Sequence, residues 1–218
     1  MKNWAIDQVY TARTTRELGD KGEQSGIFKL PFLDTASVDE NGIVGDIQAD
    51  KHVHGGPEKA LHQYAVASYL LMRQAFPKLA GKFVAGSMGE NISAQGMHEH
   101  NVHVGDIYRI GGVKVQVSQP RQPCWKINSK FDDSKLVKFI SKTHINGWYY
   151  RVLEGGELQA ADRIELLERP NDMSVYNFLR IYGEQRPAKH DLKRLVDCKG
   201  LNPAWQIKLQ ERFDYLYG

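Results

Sequence analysis

The residues Val113, Val115 and Val117 alternate with Lys114, Gln116 and Ser118, the period-2 signature of a strand with one buried face. The apolar run from Val102 to Ile110 precedes it, and Gly111-Gly112 between them reads as the turn of a hairpin. The pattern recurs downstream. Trp148 to Leu153 reads as a strand, followed by the tight turn Glu154-Gly155-Gly156-Glu157, and Arg163 to Leu167 as a further short strand. Short strands broken by Gly-rich turns point to a barrel or sandwich rather than a doubly wound parallel sheet.

Two helices interrupt the strands. The spacing predicts one from Pro57 to Phe76, through Ala60, Leu61, Tyr64, Tyr69 or Leu70, and Leu71, stopped by Pro77. A second is predicted from Ser134 to Ser141, with Leu136, Val137 and Ile140 as its apolar face. Beyond Pro170 the texture becomes helical. Ser174 caps a helix with Val175, Phe178 and Leu179, Pro187 opens another with Leu192, Leu195 and Val196, and Asn202-Pro203 starts a third through Trp205, Leu209 and Phe213.

Charge marks the same boundary. The net +3 of the 218 residues lies in the last fifty, with nine basic against six acidic side chains from Arg169 onward and twenty of each before it. We therefore expect a β-rich domain over 1–168 and a three-helix domain over 169–218. The basic residues of the tail are dispersed among acids, which favours a packing or partner-docking appendage over a nucleic-acid reader. Two cysteines cannot build a disulfide framework, and no apolar stretch reaches the length of a membrane span or a signal core, so a cytoplasmic protein is expected.

The chemistry concentrates in two segments. Gln119-Pro120-Arg121-Gln122-Pro123-Cys124-Trp125-Lys126 follows the best strand, and its prolines predict an extended, stiff loop presenting Cys124. Arg121 and Lys126 would favour its thiolate, which suits a nucleophile or a soft-metal ligand. Lys51-His52-Val53-His54-Gly55-Gly56-Pro57-Glu58-Lys59-Ala60-Leu61-His62 places two glycines before the expected helix start, where free N–H groups and Lys59 would attract an anion. Gly89-Glu90-Asn91 and Gly105-Asp106 read as turns entering strands. His98, His100 and His103 lack a cysteine or carboxylate at zinc spacing and read as an exposed loop. Cys198, beside Val196 and Lys199, reads as structural.

Taken in order, Gly45-Asp46-x-Gln48, His54-Gly55-Gly56-Pro57-Glu58-Lys59-Ala60, Gly89-Glu90-Asn91, Gly105-Asp106 and Gln119-Pro120-Arg121-x-Pro123-Cys124 resemble the MOSC domain family. The tail from Val175-Tyr176-Asn177-Phe178 is similar to the three-helix extension of its stand-alone bacterial members. The resemblance implies a β-barrel fold binding the molybdenum cofactor, with Cys124 as the protein ligand to molybdenum and N-hydroxylated compounds, notably hydroxylaminopurine-type bases, reduced to amines. On that reading Arg121, Lys126 and Lys59 neutralise the cofactor phosphate, with Gly55 and Gly56 at a second anchor. His54 and Glu90 are the candidates for proton delivery, and Asn91 and Gln119 for hydrogen bonds to pterin or substrate. No dinucleotide fingerprint or iron–sulfur spacing is present, so electrons are expected from a separate reductase. Oligomeric state is left open, a homodimer included. Two alternatives remain at this point: a metal-free sulfur carrier using Cys124, and a nucleic-acid-binding module using the tail.

Overall fold

A computed structural model describes residues 4–49 and 55–218. Its centre is a large curled mixed sheet, a half-barrel, to which helices are added on the outside and at the C-terminus. The strands are β1 (Trp4–Ala5), β2 (Gln8–Thr11), β3 (Arg16–Leu18), β4 (Glu23–Ser25), β5 (Leu30–Phe32), β6 (Ala36–Asp39) and β7 (Gly42–Ile43). They continue as β8 (Leu61–Gln63), β9 (Ile92–Ser93), β10 (Ile107–Ile110), β11 (Val113–Pro120), β12 (Trp148–Glu154), β13 (Gly156–Leu158) and β14 (Arg163–Glu168). Nine of them form one sheet in the order β1-β14-β10-β11-β12-β8-β9-β2-β5. Its pairs are antiparallel except β8 with β9.

The expected hairpin is the middle of this sheet. Ile110 faces Val113 and Ile107 faces Gln116 across it. Gly111 turns the chain at φ 55°, where a Cβ would lie 2.2 Å from Asp162 Oδ2. Val113, Val115 and Val117 are fully buried, as their alternation requires, but Ser118, Gln119 and Pro120 are buried as well. The alternation ends there because the helical tail covers the second face: Asn202 donates its backbone N–H to Ser118 O (2.8 Å) and its side-chain amide to Gln119 Oε1 (2.5 Å).

Tertiary pairing overrides the expected helix from Pro57. Pro57–Lys59 form only a 3-10 turn, and Leu61–Gln63 are β8, buried at every position between β12 and β9. A strand enclosed on both sides carries no alternation to reveal it. The α-helix starts later, as α1 (Val66–Ala75), and stops before Pro77. A second helix, α2 (Trp125–Phe131), begins directly after Cys124, where an extended loop was expected. Ile127 and Phe131, spaced by four, bury one face of it. The expected helix near 134–141 is α3 (Leu136–Thr143). The expected strand from Val102 begins only at Ile107, since Gly105 at φ 82° turns the chain first. After Glu154 the chain does not fold back on itself, because β13 leaves to pair with β6.

The tail consists of α4 (Val175–Gly183), α5 (Lys189–Val196) and α6 (Pro203–Tyr217). Ser174 and Asn202 cap the first and last by accepting backbone N–H groups from Asn177 and Ala204. Phe178, Leu192, Leu195, Trp205 and Leu209 form their own core with Val104 of the body. Val175 and Leu179 belong instead to the core of the sheet, which ties the tail to it. No helix among the described residues is long and apolar enough to cross a membrane.

Candidate functional site

At one end of the sheet a cleft of about 610 Å³, counted out to its open mouth, lies between six chain segments. The loop after β4 gives one wall with Ile27 and Lys29, and the stretch at Ile47 and Gln48 gives a second. Lys59 and His62 come from the 3-10 turn and β8, Met88 and Asn91 from the turn before β9, and Arg121, Cys124 and Lys126 from the segment joining β11 to α2. Tyr149 of β12 closes the back.

One buried carboxylate holds three of these walls together. Asp46 Oδ1 accepts the N–H of Ala12 (2.7 Å), and its Oδ2 accepts from Lys29 Nζ and from the Asn91 side-chain amide (2.8 Å). Asn91 also donates to Tyr10 O (3.3 Å) and accepts the His62 N–H (3.1 Å). Burial pushes the Lys29 ammonium down and the ion pair with Asp46 pulls it back. Lys29 and Tyr149 carry no spacing signature in the sequence, and His62 stands there only as the last residue of the Lys51–His62 segment, without a role of its own. Asp46 appeared there only as a motif residue.

The back of the cleft has a different character. Arg121 is 5% exposed and its Nη1 has no hydrogen-bond partner. His62 is equally buried, and its Nε2 is also unpartnered. Its ring leans on Tyr149 with centroids 5.1 Å apart. Burial, then the Arg121 and Lys29 charges, hold the His62 imidazole well below the usual range, so it is neutral; a hydrogen bond to the Gly89 backbone opposes this without reversing it. Cys124 is half-buried at the start of α2. Lys126 reaches back across the cleft to donate to Gln24 O (3.0 Å).

Thus Cys124, Arg121, Lys59, Lys126 and Asn91 of the sequence reading converge on the cleft. Others do not. Gln119 turns to the helical tail, with its side-chain oxygen on Asn202. Glu90 is fully buried outside the cleft lining. Its carboxylate accepts from Tyr69 Oη (2.5 Å), Gly86 N (2.6 Å) and Met88 N (3.1 Å), so it clamps the 86–88 turn. Gly55 and Gly56 precede a 3-10 turn of three residues, not an α-helix, and neither lines the cleft. His54, with Lys51 and His52, lies outside the described residues.

Among the described lining residues there are four cations and no carboxylate. The described residues also contain no group of three His, Cys, Asp or Glu side chains able to hold a metal ion. Of the three histidines near 100, His98 and His103 are half-buried rather than exposed, and His100 stacks on Tyr176 at 3.9 Å. Cys198 is buried in the tail, where burial pushes its thiol up to about 12.

Residues 50–165 match the model of the MOSC domain. Protein YiiM of Escherichia coli (strain K12) is 37% identical over 94% of this chain and 90% of its own length. A protein of Gibberella moniliformis named "Reductase" is 36% identical over 81% of this chain, which corresponds to 31% of that protein. The crystal structure of YiiM from E. coli superposes with a TM-score of 0.83 over 99% of this chain and 94% of that one, at 31% identity. YiiM from Geobacillus stearothermophilus follows at 0.79 and 28% identity, over 96% and 99%. On sequence and fold together, the chain belongs to the MOSC domain family.

Proposed function

We propose that the protein is an oxidoreductase that binds the molybdenum cofactor in this cleft and reduces N-hydroxylated substrates of the hydroxylaminopurine type to the amines. One observation carries the reading: a single half-buried thiol, Cys124, shares a cleft with the side chains of Lys29, Lys59, Arg121 and Lys126, and Lys29 is the one of them paired with Asp46 behind the wall. This donor set fits an anionic pterin phosphate and a soft metal. The unpartnered Arg121 Nη1 is a buried donor suited to a phosphate or carbonyl oxygen. The name of the fungal relative supports reduction as the reaction class.

In this reading the Cys124 thiolate ligates molybdenum, Arg121 and Lys126 hold the phosphate, and Asn91 keeps the Lys29 and His62 walls in register. When bound, the cofactor supplies two electrons and an acceptor for the oxygen of the N–O bond. The overall change is R–NHOH + 2 e⁻ + 2 H⁺ → R–NH₂ + H₂O, with electrons from a separate reductase. The chain's own residues orient the substrate and deliver the protons, and neutral His62 lies beside the cations where a proton is needed.

The test is metal and pterin analysis of wild type and Cys124→Ala, made side by side in a host that assembles the cofactor. Reduction of 6-hydroxylaminopurine with a reduced dye as donor is measured on the same samples. We expect molybdenum, pterin and activity in the wild type and loss of molybdenum from the variant. Full molybdenum in Cys124→Ala overturns the ligand assignment, and wild type without molybdenum overturns the cofactor.

A further inference from the structure

The reduction proposed above consumes two protons, and the residues expected to supply them are not in the described cleft lining. Four buried side chains at or beside the junction of β8, β11 and β12 carry a polar atom without a partner: His62 Nε2, Arg121 Nη1, Asn146 Oδ1 and Trp148 Nε1. One of these atoms, His62 Nε2, lies against Gly147. Gly147 adjoins Asn146 and Trp148 and sits where β11, β12 and β8 meet: its C=O accepts the Arg121 N–H at 3.0 Å, and Trp148 pairs with both Pro120 and Gln63. A Cβ at Gly147 would lie 3.1 Å from His62 Nε2 and 2.6 Å from Gln63 O. Only glycine lets the chain pass the imidazole at this distance.

On the other side of Gly147 stands Glu99. It is 3% exposed, and its Oε1 accepts the Gly147 N–H at 2.9 Å. No cation pairs with it among the described residues. The groups that face it are Tyr64, from the segment after β8, and the backbone of Gly147; Tyr176 of α4 bonds only its carbonyl. His98 and His100 flank it on its own loop. Burial pushes its carboxyl up to about 7 despite the Gly147 hydrogen bond. Burial raises the Glu90 carboxyl too, but there the Tyr69 and Gly86 hydrogen bonds oppose it, whereas Glu99 has fewer donors to hold its charge.

Resting on the reading above, we propose that Glu99 is the proton store of this site, passing a proton past Gly147, whose N–H it binds, through a water to the unpartnered His62 Nε2 on the glycine's Cα side. The step is an acid–base exchange in which neutral Glu99 and neutral His62 become carboxylate and imidazolium. The imidazolium, held between burial and the Arg121 and Lys29 charges, is a strong acid and gives its proton to the oxygen leaving as water. The two electrons of the N–O cleavage come from the external protein reductase, and Glu99 is reprotonated from solvent through the 98–103 loop. Glu99 acts through His62 and is a positioning and proton-supplying residue, not one that touches substrate.

Two measurements test this. In the full chain without cofactor, carboxyl-labelled glutamate is titrated by ¹³C NMR in wild type, Glu99→Gln and Glu99→Asp. One resonance titrating near 7 should be present in wild type and absent from Glu99→Gln. A Glu99 resonance titrating with the ordinary carboxylates overturns the proposal. In the loaded enzyme, Glu99→Gln should retain molybdenum but lose about 100-fold in turnover, with a larger solvent deuterium effect and no inflection near 7 in its pH profile. Glu99→Asp should recover part of the rate and the inflection. Loaded Glu99→Gln with the wild-type rate and pH profile overturns the proposal; if it does not fold, Glu99→Asp with an unshifted profile does so. If wild type shows no molybdenum-dependent reduction, the functional reading fails instead, and the titration still decides whether Glu99 stores a proton.

Discussion

Asp106 with Arg169, and Arg121 with His62, are two clusters of buried polar groups built to opposite rules. Asp106 is fully buried, and its carboxylate accepts Arg169 Nε (2.9 Å) and Nη2 (2.7 Å), Tyr108 Oη (2.8 Å) and the His103 N–H (2.9 Å). Four donors, one on Oδ1 and three on Oδ2, satisfy the carboxylate, and the cluster pins the chain leaving β14 to the turn before β10. Arg121 and His62 are as deep, yet each keeps an atom without a partner. Leaving a buried polar group unsatisfied costs about 1–3 kcal/mol, so a fold carries such groups only where something else uses them. The Asp106 carboxylate is matched by donors, whereas Arg121 and His62 in the cleft each keep an open atom, as does His103 outside it.

Substitutions can break this contrast. The largest loss of stability is expected for Asp106→Ala, about 3–5 kcal/mol in denaturant unfolding, because the change strands Arg169 and Tyr108. Next comes Glu99→Gln, whose effect depends on pH. The folded value near 7 lies above the usual 4.5, so the stability tied to this proton is complete below 4.5 and declines as the pH rises through 7. Replacing the acid should therefore raise stability relative to wild type by up to about 3 kcal/mol at pH 8, and by nothing at pH 4. Thermal unfolding at the two pH values checks the sign.

Arg121→Met sharpens the contrast from the other side. It removes a charge that the fold does not complete, so stability should change by about 1 kcal/mol or less, in either direction. Pterin retention should nevertheless fall sharply, as read by fluorescence of the oxidised extract. The smallest effect belongs to the exposed i,i+4 pair Lys193–Asp197 of α5, where Lys193→Ala should cost about 0.5 kcal/mol or less.

The sequence showed different parts of the molecule with different clarity. The hairpin of β10 and β11, the strands at 148 and 163 and the three tail helices are legible because each buries one face and so carries a period. Strand β8 is enclosed on both sides and shows no period, and it was absorbed into an expected helix together with His62, the residue that matters most in it. Cys124, Arg121, Lys59, Lys126 and Asn91 were found through motifs. Lys29 and Tyr149 were not, because each enters the cleft from an element of another part of the chain.

The linear chain by itself determined the β-rich body, the helical tail and the segment that presents Cys124, since alternation, caps and prolines act over a few residues. Which polar groups are paired and which remain open was decided only in three dimensions. Glu90 and Glu99 show why. Both are buried glutamates beside turns, yet a tyrosine hydroxyl and two turn N–H groups occupy the first, while the second has the Gly147 N–H from across the fold and its own backbone N–H. That difference depends on how β8, β11 and β12 converge on one glycine, and proximity across long stretches of chain leaves no local pattern to read.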